Sequence, residues 1–276
     1  MRLEPMTPDR YLRWVPETIA GFAAQQTASG AAPERAAREY AEREFDRLLP
    51  FGLDTPGHHL WSAFDGGEEV GYLWLAVRTG SEGTEGYVYD VAVDRALRGR
   101  GHGHAIMLAA EDAARSAGAT TLRLNVFGHN TAALNLYHRL GFSVTVTELA
   151  RRLEDQQPAV AGEPVRLVVG PASEHIALTA YDRDREVGSV SLRISRARDG
   201  PHAHGKDLRI ASVPEAGRRV LAAVEGFCRG HGAVALGLTV AAGDDEVRSV
   251  AEQAGYRPVA RLMSKPLPPA DARIGG

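Results

Sequence analysis

The sequence predicts an α/β (α+β) chain made of two tandem copies of one unit, and three observations carry that prediction. Strand-like alternation and helical periodicity take turns along the chain instead of segregating. The stretch YVYDVAVDRALRGRGHG, Tyr87–Gly103, passes from an aromatic and β-branched strand through a glycine-rich turn into a helix. The second half then repeats the first. WSAFDGGEEVGYLWLAV, from Trp61, aligns with LTAYDRDREVGSVSLRI, from Leu178, at an offset of 117 residues. GATTLRLNV, from Gly118, aligns with GAVALGLTV, from Gly232, at an offset of 114, and Gly141-Phe142 falls on Gly255-Tyr256 at that same offset.

Composition narrows the field. With 276 residues, 44% hydrophobic and 24% charged, the chain can bury a real core and does not read as disordered. A net charge of −3 offers no nucleic-acid footprint, and the local cluster Arg95, Arg98 and Arg100 suits one small polyanion instead. Cys228 is the only cysteine, which excludes a disulfide framework and a cysteine-type metal site. The opening MRLEPMTPDRYLRW is too polar for a signal peptide, and no apolar run reaches membrane-spanning length. A cytoplasmic location without a membrane partner is expected.

In chain order, Arg2–Met6 reads as a first strand, followed by Thr7 or Asp9 as the cap of a helix over about 10–28. Gly30 breaks that helix and Pro33 restarts a second one, 33–48. A hairpin follows: strand 59–64, turn Asp65-Gly66-Gly67, strand 70–77, with His58 and His59 as strand-entry residues. Gly80–Gly86 reads as a polar loop before the strand 87–93, where alternation puts Tyr87 and Tyr89 on the face opposite Asp90. Ile106, Ala109, Ala110 and Ala113 then recur at helical spacing up to Gly118. Leu122, Leu124 and Val126 alternate as a strand, and Thr131–Leu140 fits a short helix closed by Gly141.

A strand, a glycine-rich turn and a helix make a phosphate cradle, because glycine lets the backbone approach an anion at the positive helix end. Dinucleotide-loop spacing would need glycine where His104 stands, and the lysine-containing phosphate loop has no match, since Lys206 and Lys265 are the only lysines. What stands here is R-x-x-G-x-G, with Arg98, Gly101 and Gly103. This resembles the pyrophosphate loop of the GNAT acyltransferase superfamily. The segment LRLNVFGHNTAALNLYHRLGF resembles that family's other signature, N-x-x-A-x-x-L-Y-x-x-x-G-F, through Asn130, Ala133, Leu136, Tyr137, Gly141 and Phe142. The resemblance covers roughly residues 1–150.

It implies a fold, a co-substrate and a set of roles. The fold is two tandem GNAT units, each a mixed, mostly antiparallel, splayed sheet flanked by helices. The co-substrate is acetyl-coenzyme A or another acyl-coenzyme A, with no metal. Its thioester and pantetheine arm would meet backbone N–H groups of Val91, Ala92 and Val93, and Asn130 would bond the arm. Arg98, Gly99, Arg100, Gly101, His102 and Gly103 would hold the pyrophosphate. Tyr137 matches the family tyrosine that protonates the leaving thiolate. Asp90 stands in a YxYDxAV string similar to the aminoglycoside 3-N-acetyltransferase branch, where the aspartate acts on the substrate amine; a structural hydrogen bond beside a bulge is the alternative. The family builds its acceptor lid on helices such as 10–28 and 33–48. Tyr11, Trp14, Phe22, Tyr40 and Phe45 therefore line the pocket or pack the lid onto the sheet, and Glu44, Glu82, Glu85 and Asp90 are its candidate acidic lining, with solvated charge as the alternative account of most of them.

The expected organisation is a catalytic unit, 1–153, a linker, 154–164 (EDQQPAVAGEP), and a degenerate unit, 165–270, without the coenzyme loop. In the second unit three residues separate Val213 from Gly217, against nine between Val93 and Gly103. At the 114 offset Tyr137 becomes Ala251 and Asn130 becomes Asp244. His202 and His204 fall in a polar loop, ARDGPHAHGK, with no metal role expected. Tandem architecture also occurs in mycothiol synthase, but there the C-terminal half works, so that role is not expected here. The expected function is acyl transfer, with acetyl as the leading group, to a primary amine of a small molecule or peptide by direct attack. A non-catalytic acyl-coenzyme A sensor is the alternative, and a longer or carrier-protein-bound donor is a variant that nothing in the sequence indicates. A homodimer is compatible with the sequence.

Overall fold

The structure, a computed structural model, describes residues 1–29, 34–81, 83–153, 162–171, 174–197, 200–210 and 214–268. Gly30, Pro33, Glu82, most of the expected linker and Val213 lie outside the described residues. The first half runs β1 (Arg2–Pro5), α1 (Pro8–Ala28), α2 (Glu34–Leu48), β2 (His58–Asp65), β3 (Glu68–Gly80), β4 (Gly83–Val93), α3 (His102–Ser116), β5 (Thr121–Phe127), α4 (Thr131–Arg139) and β6 (Ser143–Arg152). The second runs β7 (Arg166–Val169), β8 (Ile176–Asp182), β9 (Arg185–Ala197), β10 (Gly200–Ile210), α5 (Pro214–Gly230), β11 (Ala235–Ala241), α6 (Asp245–Gln253) and β12 (Arg257–Pro266). No helix among the described residues is long and apolar enough to cross a membrane.

Local chemistry accounts for most boundaries. Thr7 caps α1, its Oγ1 accepting the Arg10 N–H at 3.3 Å. Gly118 and Gly141, both at positive φ, close α3 and α4. Two loop expectations are corrected. Gly80–Gly86 is not a loop, because β3 and β4 continue into a tight hairpin in which Gly80 pairs with Gly83 and the hydroxyls of Thr79 and Thr84 meet at 2.9 Å. His202 and His204 lie on β10, where His204 Nε2 meets Thr239 Oγ1 at 2.8 Å. Polar side chains alternate there with the buried Ala203, Gly205 and Leu208, which gives a half-buried strand the polar composition of a loop.

The twelve described strands form one sheet in the order β1-β2-β3-β4-β5-β12-β6-β11-β10-β9-β8-β7. Two units are present, but their last strands are exchanged. β12, from the second half, pairs antiparallel with β5, while β6, from the first, pairs with β11 and with β12. The sheet thus reads the same from both ends once each strand is matched to its repeat. Neither half closes its sheet with its own residues.

Two buried ion pairs fasten the exchange. Lys265 on β12 reaches Glu111 on α3 at 2.6 Å, and Arg151 on β6 reaches Glu225 on α5 at 3.1 Å. Both glutamates are 1% exposed. The pairs are repeats of each other, since Glu111 and Glu225, Arg151 and Lys265, and Phe142 and Tyr256 all differ by 114 residues. Arg115 also bonds Glu111, at 2.9 Å, and the Tyr256 hydroxyl donates to Glu225 at 3.0 Å. A buried carboxylate needs such partners, because desolvation otherwise costs several kcal/mol.

The two faces of the sheet differ between the halves. α3 packs on Leu73, Leu75, Val88, Leu122, Leu124 and Met263, and α5 covers the same face further along, on Leu149, Leu236 and Leu238. α1 and α2 cover the opposite face of the first half, where Trp14 and Phe45 bury Trp74. Among the described residues the second half has no such lid, and only residues 170–175 join β7 to β8, where residues 6–57 join β1 to β2. Its sheet face is correspondingly polar. Tyr72 and Trp74 of β3 become Ser189 and Ser191 of β9.

Candidate active site

The site forms where the sheet splits. β4 pairs parallel with β5 only over Glu85–Val88, against Thr121–Leu124, and then follows β3 away. The split leaves one backbone edge of Asp90–Val93 without a strand partner. Asp94 donates its N–H to Val70 of β3, at 2.9 Å, so strand alternation turns the Ala92 N–H toward β3 and those of Val91 and Val93 into the opening. The Val91 N–H already bonds the Asp90 carboxylate. Val93 therefore presents the open donor. Gly71 permits this approach of β4 to β3, since a Cβ there would lie 2.1 Å from the Ala92 carbonyl oxygen.

A bulge decides which side chains face the lid. The register runs from Asp90 opposite Trp74 to Val88 opposite Leu75, so Tyr89 has no partner on β3. The expectation that Tyr87 and Tyr89 oppose Asp90 is therefore corrected: the extra residue puts all three on the lid side. Tyr89 stacks on Trp74 and packs on Tyr87, each at 4.7 Å, and Asp90 Oδ2 accepts the Tyr72 hydroxyl at 2.9 Å. Burial raises the Asp90 carboxyl to about 6, and the bonds from Tyr72 and Val91 hold it below where burial alone would put it. That value suits a base at neutral pH far better than an ordinary aspartate.

Tyr137 on α4 is buried against Phe142, with ring centroids 5.9 Å apart. Burial, and then the nearby Asp90 charge, push its phenol well above the usual range, so it stays protonated until a stronger base appears. The glycine-rich turn lies at the end of β4. Gly101 caps α3 at φ +88, and Gly103 lies close to Leu136 of α4 and to Val93. Arg98 Nε donates to the Val93 carbonyl at 3.1 Å, which ties the turn to the strand, and Arg100 is exposed on the turn. The His102 ring is turned aside to Asp65, at 3.3 Å, leaving its backbone N–H in the first turn of α3 with that of Gly103. Asn130 caps α4, its Oδ1 accepting the Ala133 N–H at 3.2 Å, which leaves its amide donor for a ligand.

The lid residues divide. Trp14 and Phe45 are buried and pack the lid onto the sheet, whereas Phe22 and Tyr40 stack at 6.3 Å and Tyr40 is 42% exposed. Tyr11 packs on Trp14 at 5.8 Å. Glu44 is bound to Arg47, at 2.7 Å, and Glu85 lies 3.3 Å from Arg123, so both acids already have cations of their own. His58 accepts the Trp74 N–H at 3.0 Å, and burial lowers it to about 4, which keeps it neutral. Among the described residues no group of His, Cys, Asp and Glu could hold a metal ion.

Tyr72 and Thr18 escape the sequence reading. Nothing in local spacing marks Tyr72 as the partner of Asp90, because that contact depends on the cross-strand register and the bulge.

The family model described as acetyltransferase (GNAT) family matches residues 24–142. The uncharacterized N-acetyltransferase YdgE of Bacillus subtilis is 31% identical over 152 residues, 55% of this chain and 97% of its own length. A second Bacillus subtilis relative, the uncharacterized N-acetyltransferase YycN, is 32% identical over 152 residues, again 55% of this chain and 97% of its own. Its crystal structure superposes with a TM-score of 0.50 over 59% of this chain and 96% of that one. A GCN5-related N-acetyltransferase from Sphaerobacter thermophilus, 19% identical, shares the fold over 91% of this chain and 92% of its own, with a TM-score of 0.55.

Proposed function

The chain belongs to the GNAT acetyltransferase family, whose members use acetyl-coenzyme A, and from that premise we propose that it acetylates a primary amine of a small molecule or peptide. The observation that supports this reading is that Tyr137 lies within electrostatic reach of Asp90, beside the split edge where the Val93 N–H turns outward and where a glycine-rich turn enters α3. The acceptor arrives as an ammonium. Asp90 takes one proton, and the freed nitrogen lone pair attacks the thioester carbon. The carbonyl oxygen becomes an oxyanion held by the Val93 N–H, the kind of preorganised donor that supplies a large catalytic term. The C–S bond then breaks, the thiolate takes the Tyr137 proton, and the second ammonium proton leaves the nitrogen to restore the phenol. An ordinary thiol has a pKa of about 8.5, yet in this dry site the thiolate is less stable than in water, which favours transfer from the phenol.

The second half fits a structural role without coenzyme. Three residues separate β10 from α5, where eight separate β4 from α3; among the described residues of this half no lid is present, and Ala251, which has no proton to donate, stands where Tyr137 stands in the first. The reading is tested by Tyr137→Phe in an assay of free thiol release from acetyl-coenzyme A with a panel of primary amines. Turnover should fall by about 10²-fold or more, as expected for loss of a general acid, with acetyl-coenzyme A affinity kept. Unchanged turnover would remove Tyr137 from the mechanism, and binding without turnover on any amine in the unaltered protein would favour a sensor.

A further inference from the structure

Asp90 is held by a chain of donors that begins on the lid. The Tyr72 hydroxyl donates to Asp90 Oδ2 at 2.9 Å, and Thr18 Oγ1 of α1 lies 3.5 Å from the same hydroxyl. A phenol has one proton to give. With that proton on Asp90, the Thr18 hydroxyl has to donate toward the Tyr72 oxygen. The indole N–H of Trp14, also on α1, is buried beside the same hydroxyl and favours its oxygen as an acceptor, and its ring meets Tyr72 edge-on at 5.9 Å. Trp14 is fully buried and Thr18 is 8% exposed, so water does not compete for these contacts. The groups that face the carboxylate are thus Tyr72 on β3, the Val91 N–H on β4 and Tyr137 on α4, all of them uncharged.

We propose that Tyr72 is a positioning residue for the acetyl transfer: oriented by Thr18 of the lid helix, it fixes one oxygen of Asp90 and leaves the other for the substrate ammonium. The proposal rests on the reading of Asp90 as the base, and it makes α1 part of the catalytic apparatus as well as part of the acceptor lid. The lid then does two jobs at once. Any acceptor that shifts α1 also shifts the hydrogen bond on which the base depends.

A readout that needs no acceptor tests this. The full chain is labelled with [γ-¹³C]aspartate, and the Asp90 carboxyl resonance, identified by its loss in Asp90→Asn, is titrated with pH. A donor to the ionised carboxylate favours that form, so its removal raises the titration midpoint. Tyr72→Phe should raise the midpoint by about one pH unit, tenfold in proton affinity, and Thr18→Val should move it the same way by less. A midpoint unmoved in Tyr72→Phe overturns the proposal, and a midpoint moved in Tyr72→Phe but not in Thr18→Val overturns the part given to the lid. If Tyr72→Phe does not fold, Thr18→Val decides alone. Acetyl transfer by Asp90→Asn is the separate test of the base: full activity there would sink that reading whatever the titration shows.

Discussion

The buried Glu111–Lys265 pair offers a direct way to weigh the strand exchange. Lys265→Met keeps most of the apolar stem of the side chain and removes the charge that β12 carries to α3. Breaking a buried ion pair from one side costs about 3–5 kcal/mol when the remaining charge is left alone. Glu111 would not be alone, because Arg115 still bonds it at 2.9 Å, and the Lys265 side chain is itself 21% exposed. The expected loss is therefore smaller, about 2 kcal/mol, or roughly a 4–8 °C drop in Tm for a chain of this size. Removing both charges with Glu111→Gln and Lys265→Met should cost less than the two single losses added together, since neither partner is then stranded. Urea and thermal unfolding of the four proteins would measure this cycle, and both halves should melt in one transition. A loss under about 0.5 kcal/mol in Lys265→Met, the size of an ordinary surface change, would refute the reasoning. So would two separate transitions, because strands exchanged between halves cannot come apart independently.

Other outcomes follow from single residues. The Asp90 carboxyl is held near 6 against an ordinary 3.8, so the native state binds its proton more tightly than the unfolded chain. The resulting stability is fully present below about pH 4 and is lost as pH rises through 6. Asp90→Asn should accordingly stabilise the protein by about 3 kcal/mol at pH 8 and by little at pH 4, as read by urea unfolding at both values. A stabilisation equal at both pH values would contradict the burial account. Gly101 sits at φ +88 with open space around its Cβ position, so Gly101→Ala is opposed by backbone conformation alone, about 1–2 kcal/mol. A turn that relaxes to escape that strain misaligns its N–H groups, and affinity for acetyl-coenzyme A should fall about tenfold in a binding titration.

Much of this was legible in the residues, for reasons that differ from place to place. Gly101, Asn130 and Tyr137 stand in the two spacings that resemble the GNAT signatures, and the structure adds local roles for two of them, a left-handed cap and a side-chain cap. The repeat at the 114 offset likewise showed that the halves share elements. Alignment cannot say whose strand pairs with whose, and β6 and β12 are equivalent in sequence, so the exchange stayed hidden. Arg151 and Lys265, charged residues at inward-facing positions of those two strands, were the available sign. The bulge at Tyr89 was invisible because it depends on pairing with β3. Simple alternation therefore put Tyr89 and Asp90 on opposite faces and left Tyr72 without a role. Thr18 could not be found from spacing at all, since its partner lies 54 residues away.

The central claim is one working site, in the first half, on a chain whose second half completes the sheet. Calorimetric titration of acetyl-coenzyme A into the intact protein tests it most directly, through stoichiometry. The account predicts one site per chain, lost or weakened by Gly101→Ala. Two sites, or one site indifferent to that change, would contradict it.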